Sequence, residues 1–423
     1  MTAFYGWRVV AVAFVLAAFG WGFGFYGPPI FLEAVQTATG WPLSFVSTAV
    51  TLHFLIGAVV VANLPRLHLR HGLPAVTGAG TTLLAIGVYG WAAATSHWQL
   101  LAAALASGAG WGTMGAAAVN AFVSPWFVRD RPAALSMAYN GASVGGVVFA
   151  PLWVAAIAAF GFTAAAAVIG VLVVAATWIL ALTVLSRTPE AMGLAADGLR
   201  PQGAATVKPS ETGSAALSRS AGPPWRNVQF LTLAGGMAIG LFAQIGLIAH
   251  LFSLLLPGLG PQQAGLAMAL ATAAAIGGRT LVGWLMPPRA DRRLVACVSY
   301  IVQIAGAAAF IAAAGRSVPL LYLGVILFGA GIGNATSLPP LIAQSEFTRA
   351  DVPRVVALVV AISQASYAFA PAAFGMIREW AAAPGSGAAG ADAPLVFVAA
   401  AALQALAISS FAAGRRRKAV RRS

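Results

Sequence analysis

One arginine stands inside a run built for hydrocarbon. In GGRTLVGWLMPPRADRR, Gly277 to Arg293, no other formal charge occurs between Leu256 and Pro288. An arginine near the middle of a membrane helix costs at least ~2.5 kcal/mol and faces a bundle interior or a cavity as a rule. From Arg279 to Pro287 is ~12 Å of helix, a long reach for snorkelling to the interface. A guanidinium in such a place binds a carboxylate bidentately, or else snorkels or pairs with a backbone carbonyl at a helix break. His250 adds a side chain whose charge can change near neutral pH, so it is a candidate substrate contact and proton carrier. Asn120, Tyr139, Asn140, Gln244, Asn334, Gln364 and Tyr367 supply neutral hydrogen-bonding groups, and Trp21 and Tyr26 an aromatic wall. Each of these polar residues serves equally as glue between helices. His53 and His97 read as helix-end or loop residues.

The elements that must position these groups are membrane helices. Of 423 residues, 60% are hydrophobic and 8% charged, against about 25% charged in a soluble globular chain. Apolar windows of ~20 residues, each enough to span ~30 Å of hydrocarbon, fall near 7–32, 43–64, 73–94, 98–123, 133–159, 162–186, 227–256, 262–286, 293–314, 318–344, 354–380 and 393–413. They are too long and continuous for barrel strands, so the expected fold is all-α and integral to the membrane, with twelve transmembrane helices. Between their ends these windows contain no Asp or Glu, so a substrate carboxylate would be the natural counter-ion of Arg279.

The net charge of +14 is distributed by side rather than by patch. With the N-terminus inside, the cytoplasmic loops hold Arg8, Arg66, Arg70, Arg129, Arg131, Arg187, Arg200, Lys208, Arg219, Arg226, Arg289, Arg292, Arg293, Arg349, Arg354 and the tail GRRRKAVRRS. The outer loops hold only Arg316 and Arg378. That asymmetry sets insertion topology and predicts both termini in the cytoplasm. The tail reads as an anchor to anionic lipid, and nucleic acid is not an expected partner. A single cysteine, Cys297, excludes an internal disulfide, and no Cys/His cluster suggests a metal. The first apolar segment is too long for a signal peptide and is expected to remain as helix 1.

An internal repeat organises the windows. GAGWG at 108–112 matches GAGIG at 329–333, VRDRPAAL from Val128 matches TRADVPRVVAL from Thr348, and FAP at 149–151 matches FAP at 369–371, all at offsets of 220 or 221. The chain therefore divides into a six-helix bundle over 1–186, a cytoplasmic linker over 187–226 rich in Pro, Gly, Ser and Ala, a second six-helix bundle over 227–414, and a basic tail over 415–423. Parallel repeats with a site between them are a transporter plan. Glycines at 108, 110, 112, 115, 141, 145 and 146 permit close helix approach, and Pro151 and Pro371 are expected to kink their helices.

With these features the chain resembles the major facilitator superfamily over essentially its whole length. That superfamily carries a G-x-L-x-D-R-x-G-R-R motif between helices 2 and 3 and a weaker copy between helices 8 and 9. Here the first copy reads PRLHLRHGLP, with Pro65 for the glycine and Leu69 for the aspartate; the second reads GWLMPPRADRR, with Pro287 where the acid is expected. A cytoplasmic gate would then rest on Arg70, Arg129, Asp130, Arg131 and Arg349. Within the superfamily, YGWRVVAVAF, TGWPLSFVS, RPAALSMAYNGASVGG and AHLFSLLLPGLGPQQAGLAMALATAAAIGGRTLVGW are similar to the monocarboxylate and oxalate carrier group. The helix 8 arginine of that group, in its G-R-x-x-x-G-W context, falls on Arg279. An acid one turn earlier in the proton-coupled branch is Ala275 here, and helices 1 and 11 hold no lysine.

The resemblance implies a secondary or facilitative carrier of small organic anions, mono- or short dicarboxylates, with no cofactor. It would work by alternating access as a monomer in the inner (plasma) membrane, and a co- or counter-transported ion is a possible further partner. Exchange, uniport and proton symport through His250 stay open. An exporter of hydrophobic drug-like compounds and an anion-sensing membrane protein that moves nothing are the alternatives. No phosphate-binding glycine loop, no G-x-S-x-G elbow and no paired intramembrane carboxylates support an enzyme.

Overall fold

The computed structural model describes residues 4–198, 224–287, 290–348, 351–381 and 394–415, and all their regular structure is helical. In chain order the helices are α1 (Tyr5–Gly24), α2 (Pro28–Thr39), α3 (Leu43–His71), α4 (Leu73–Ala93), α5 (His97–Gly112), α6 (Ala116–Val123), α7 (Arg131–Phe160), α8 (Phe162–Leu180), α9 (Val228–Leu285), α10 (Arg292–Ala313), α11 (Val318–Glu346), α12 (Val352–Tyr367), α13 (Ala370–Ala381) and α14 (Pro394–Ala413). Among the described residues, eleven stretches are long and apolar enough to cross a membrane. One of them, Val228–Leu285, has 58 residues, about 87 Å of helix at 1.5 Å per residue. Its backbone leaves helical geometry at Gly260 (φ 71°, ψ 168°), a left-handed φ open to a residue without Cβ.

Local chemistry sets the ends of these helices. Asn227 caps α9 by accepting from the N–H groups of Gln229 and Phe230, and Asp291 caps α10 through those of Arg293 and Leu294. Gln99 in the first turn of α5 accepts the N–H groups of Thr95 and Ser96. Such caps satisfy donors that a helix start leaves over, a need sharpened where no water competes.

Two compact units emerge. One comprises Met1–Lys208 with Leu251–Ser253 and Leu259–Ala269; the other comprises Pro209–His250, Leu254–Gly258 and Leu270–Ser423. Within the first, Gly108 and Gly112 of α5 lie against the backbone carbonyls of His53 and Gly57 on α3, and Gly110 against Gly80 and Leu84 on α4. Within the second, Gly329 and Gly333 of α11 lie against the carbonyls of Ala271 and Ala275 on α9, and Gly331 against Ser299 and Gln303 on α10. The two G-A-G-x-G runs thus make the same packing: outer glycines on one neighbouring helix, the middle glycine on another. At each contact a Cβ would collide with backbone, so close approach depends on glycine.

Three expectations change. His53 is not a helix-end residue: it lies inside α3, 1% exposed, bonded to Ser107 Oγ and Gly24 O at 2.9 Å each. Arg378 is not in an outer loop: it sits on α13 and is buried. Arg378 already falls inside the 354–380 apolar window, and loop assignment from charge failed because polarity does not distinguish water from a buried polar partner such as His250. The two FAP prolines also differ: Pro151 lies inside a continuous α7, whereas Pro371 follows a helix break at Ala368–Phe369.

Candidate functional site

Arg279 lies on α9, six residues before its end at Leu285. Its Nε donates to the carbonyl of Gly333 at 3.1 Å. The contact follows from local sequence. Gly333 has no side chain, so α11 approaches until the Arg279 stem would stand 3.2 Å from a Cβ at that position. The same carbonyl accepts from Ser337 Oγ at 3.1 Å. One edge of the guanidinium is therefore oriented by a backbone carbonyl. Asn334, one residue on, is buried, with Nδ2 donating to Ala330 O.

His250 is fully buried on the same helix. Its Nε2 lies 3.0 Å from Pro371 O, and its Nδ1 lies 3.2 Å from Arg378 Nη1. Arginine only donates and a carbonyl only accepts, so the ring is neutral and carries its proton on Nε2. His250 lies ten residues before the bend at Gly260 and Arg279 nineteen after it, about 15 Å and 28 Å of helix respectively. The two therefore stand on different arms of α9, on either side of that bend.

Several of the remaining sequence candidates have partners elsewhere. Tyr139 on α7 donates to Ala116 O at 2.9 Å, tying α7 to the start of α6. Asn120 accepts from Ser124 Oγ at 2.9 Å, and Asn140 is exposed one position beyond Tyr139. Tyr26 lies in the break after α1, where its N–H donates to Trp21 O and its ring meets Phe25 edge-on at 5.1 Å. Gln364 and Tyr367, one turn apart on α12, share a side-chain hydrogen bond. Gln244 is buried on α9, and Trp21 stands edge-on to Trp111 at 5.0 Å.

Two of the residues expected to form a gate, Arg129 and Asp130, gather around an acid that the sequence did not single out. Asp197 accepts from the consecutive N–H groups of Val128, Arg129 and Asp130 at 2.9–3.3 Å, and its own N–H donates to Trp126 O. The Arg129 N–H, those of Asp130 and Val128, and the Arg129 charge hold its carboxyl below the usual carboxylate range against a smaller opposing effect of burial. Arg129 pairs with Asp130 at 3.1 Å. Arg131 donates to Phe127 O and Ser124 O, capping the carbonyl end of α6. Arg70 is exposed at the end of α3, and Arg349 lies outside the described residues. The Asp197–Gly198 pair was the available signal: Asp-Gly marks a turn whose side chain seeks backbone N–H groups.

A second buried charge cluster lies at the start of α10. Arg293, 1% exposed, meets Glu346 through two contacts of 2.6 and 2.8 Å and also donates to Thr232 Oγ1, Gln229 O and Phe411 O. One guanidinium thereby joins α9, α10, α11 and the end of α14. Among the described residues, no group of three or more His, Cys, Asp or Glu is arranged to hold a metal ion.

A helical membrane chain with the same glycine packing in both units and guanidinium groups inside apolar helices is a carrier in architecture. The family description "Major Facilitator Superfamily" matches residues 10–371, and the chain belongs to that superfamily of transporters. No curated protein matches the sequence. Solved structures agree on the fold. The nucleoside transporter NupG superposes with a TM-score of 0.73 at 14% identity, covering 99% of this chain and 100% of that one. The xylose transporter XylE from E. coli, inward open, gives 0.71 at 14%, covering 96% and 95%. A bacterial homolog to the human lysosomal transporter Spinster, inward-facing and occupied, gives 0.67 at 14%, covering 98% and 97%.

Proposed function

We propose that this transporter moves small organic anions, monocarboxylates or short dicarboxylates, by alternating access. Counting the two arms of α9 as separate crossings gives twelve, in two six-helix halves over 1–186 and 227–414. The cytoplasmic linker is 187–226, and both termini, including the basic tail over 415–423, face the cytoplasm of a cell with the carrier in its inner (plasma) membrane. The carrier acts as a monomer. The observation that carries this reading is the Arg279 contact: a guanidinium on an apolar membrane helix, oriented through Nε by the Gly333 carbonyl. A cargo carboxylate completes the arrangement through charge-assisted hydrogen bonds. Asn120, Tyr139, Asn140, Tyr26, Gln364 and Tyr367 shape the rest of the binding region.

Anion exchange or uniport is the favoured coupling. Proton uptake by His250 would require its Nδ1 to give up the Arg378 contact and would place two cations side by side. Reconstituted proteoliposomes test the assignment. Wild-type protein takes up a radiolabelled monocarboxylate or dicarboxylate; Arg279→Ala abolishes uptake, and Arg279→Lys, which keeps charge without the planar fork, retains part of it. Full activity in Arg279→Ala removes the carboxylate assignment. Anion binding without uptake makes the protein a sensor, and uptake of hydrophobic cations in place of anions makes it a drug exporter.

A further inference from the structure

We propose that Arg8, Tyr5 and Arg187 form a binding site for the phosphate of an anionic phospholipid headgroup. The site lies where α1 begins and α8 ends, both inside one unit, and it is independent of what the transporter carries. The geometry starts with an irregularity in α8. Past Leu180 the chain continues as a π-helical turn, Ala181–Leu185, a rare geometry concentrated at functional positions. Tyr5, 9% exposed, directs its hydroxyl at the carbonyls of Thr183 and Val184 in that turn, at 3.5 and 3.4 Å. Arg187, just beyond the turn, then lies with its guanidinium carbon 5.5 Å from the centre of the Tyr5 ring. Arg8, one turn after Tyr5 on the same face of α1, places its own guanidinium carbon 5.8 Å from that centre.

Two cations from different helices thus converge on one ring. Among the described residues neither Arg8 nor Arg187 makes an ion pair. Each guanidinium lies against the Tyr5 ring, and a phosphodiester reached by both forks would be held by charge-assisted hydrogen bonds. The depth selects a lipid over a soluble phosphate. Tyr5 opens one membrane-length stretch and Leu185 closes another, so the arginines stand at the headgroup level. Around them Trp7 packs on Phe127 at 5.0 Å, and Trp126 on Tyr5 at 5.2 Å. Aromatic rings of this kind mark the membrane–water interface.

Native mass spectrometry of the full chain released from mixed phosphatidylglycerol and phosphatidylcholine nanodiscs tests the site. Wild-type protein retains phosphatidylglycerol in preference to phosphatidylcholine. Arg8→Gln with Arg187→Gln lowers that preference by about fivefold per arginine, about 25-fold for the pair. Arg66→Gln, an exposed basic residue elsewhere, serves as the control and leaves it unchanged. Arg8→Lys with Arg187→Lys preserves charge and falls between wild type and the Gln pair. Unfolding temperatures in phosphatidylcholine alone establish that the variants are folded. Wild-type protein with no phosphatidylglycerol preference overturns the proposal even if no variant folds. So does a Gln pair that retains the lipid as wild type does, an equal loss in Arg66→Gln, or displacement of the lipid by millimolar inorganic phosphate.

Discussion

Arg378 donates to Nδ1 of His250 across 3.2 Å, while His250 Nε2 donates to the carbonyl of Pro371. Both partners lie on α13, so one imidazole is fastened twice to the segment that follows the break at Ala368–Phe369. The arrangement joins α9 to α13 where a proline has interrupted regular helix. A hydrogen bond to a charged group contributes about 1.5–3 kcal/mol when buried. His250→Ala is expected to lower stability by about that amount, read as an earlier thermal unfolding in detergent. His250→Asn, whose side-chain oxygen can take the place of Nδ1, is expected to recover part of the loss. An alanine variant as stable as wild type would show that the contact contributes nothing.

Two adjacent glycines beside Arg279 should respond oppositely to alanine. A Cβ at Gly277 meets nothing within 4 Å, whereas one at Gly278 runs into the backbone carbonyl of Ala330 on α11. Gly277→Ala is expected to be neutral, or stabilising by up to about 1 kcal/mol through helix propensity. Gly278→Ala is expected to force α9 and α11 apart at a cost of about 1–3 kcal/mol. It should also impair uptake, because the same helix contact sets the distance from Arg279 to Gly333 O. Unfolding temperature and proteoliposome uptake measured on both variants check this.

Arg293 and Glu346 form a buried pair whose parts are not equivalent. Arg293→Ala removes the cation and leaves Glu346, Thr232, Gln229 and Phe411 with acceptors that lose their donor. A loss of about 3–5 kcal/mol is expected, as for one-sided breaking of a buried ion pair. Glu346→Gln keeps an acceptor and should cost less. Combining Arg293→Met with Glu346→Leu should cost less than the sum of the single changes, and denaturation of all four proteins gives the coupling. Strict additivity would remove the pair from the account.

Asp197 ties the segment after α8 to the loop between α6 and α7. Its folded-state carboxyl is lowered, the Arg129 N–H being the largest cause. A lowered acid contributes to the folded state above the ordinary carboxylate range and loses that contribution as pH falls through its folded value. The docking should therefore be intact at neutral pH and loosen only below about pH 4. Hydrogen exchange should find the Val128, Arg129 and Asp130 amides protected at pH 7 in wild type and faster in Asp197→Ala. Equal exchange in the two proteins would mean that the segment does not depend on this side chain.

The membrane class, the position of most helices and the repeated G-A-G-x-G runs were legible in the chain itself, because each follows from local composition or period. Twenty apolar residues form a helix in hydrocarbon whatever surrounds them, and the G-A-G-x-G runs repeat because two units solve one packing problem. Tertiary structure decided the partners. Nothing near His250 in sequence indicates Arg378, 128 positions away, and nothing near Asp197 indicates the loop around Arg129. Charge counting placed Arg378 in a loop because polarity reports water or a polar partner without distinguishing them, and only packing shows which is present. The same ambiguity governed His53, whose two ring nitrogens are met by α5 and α1. A side chain's type limits what it can bind; the helices brought against it determine what it does bind.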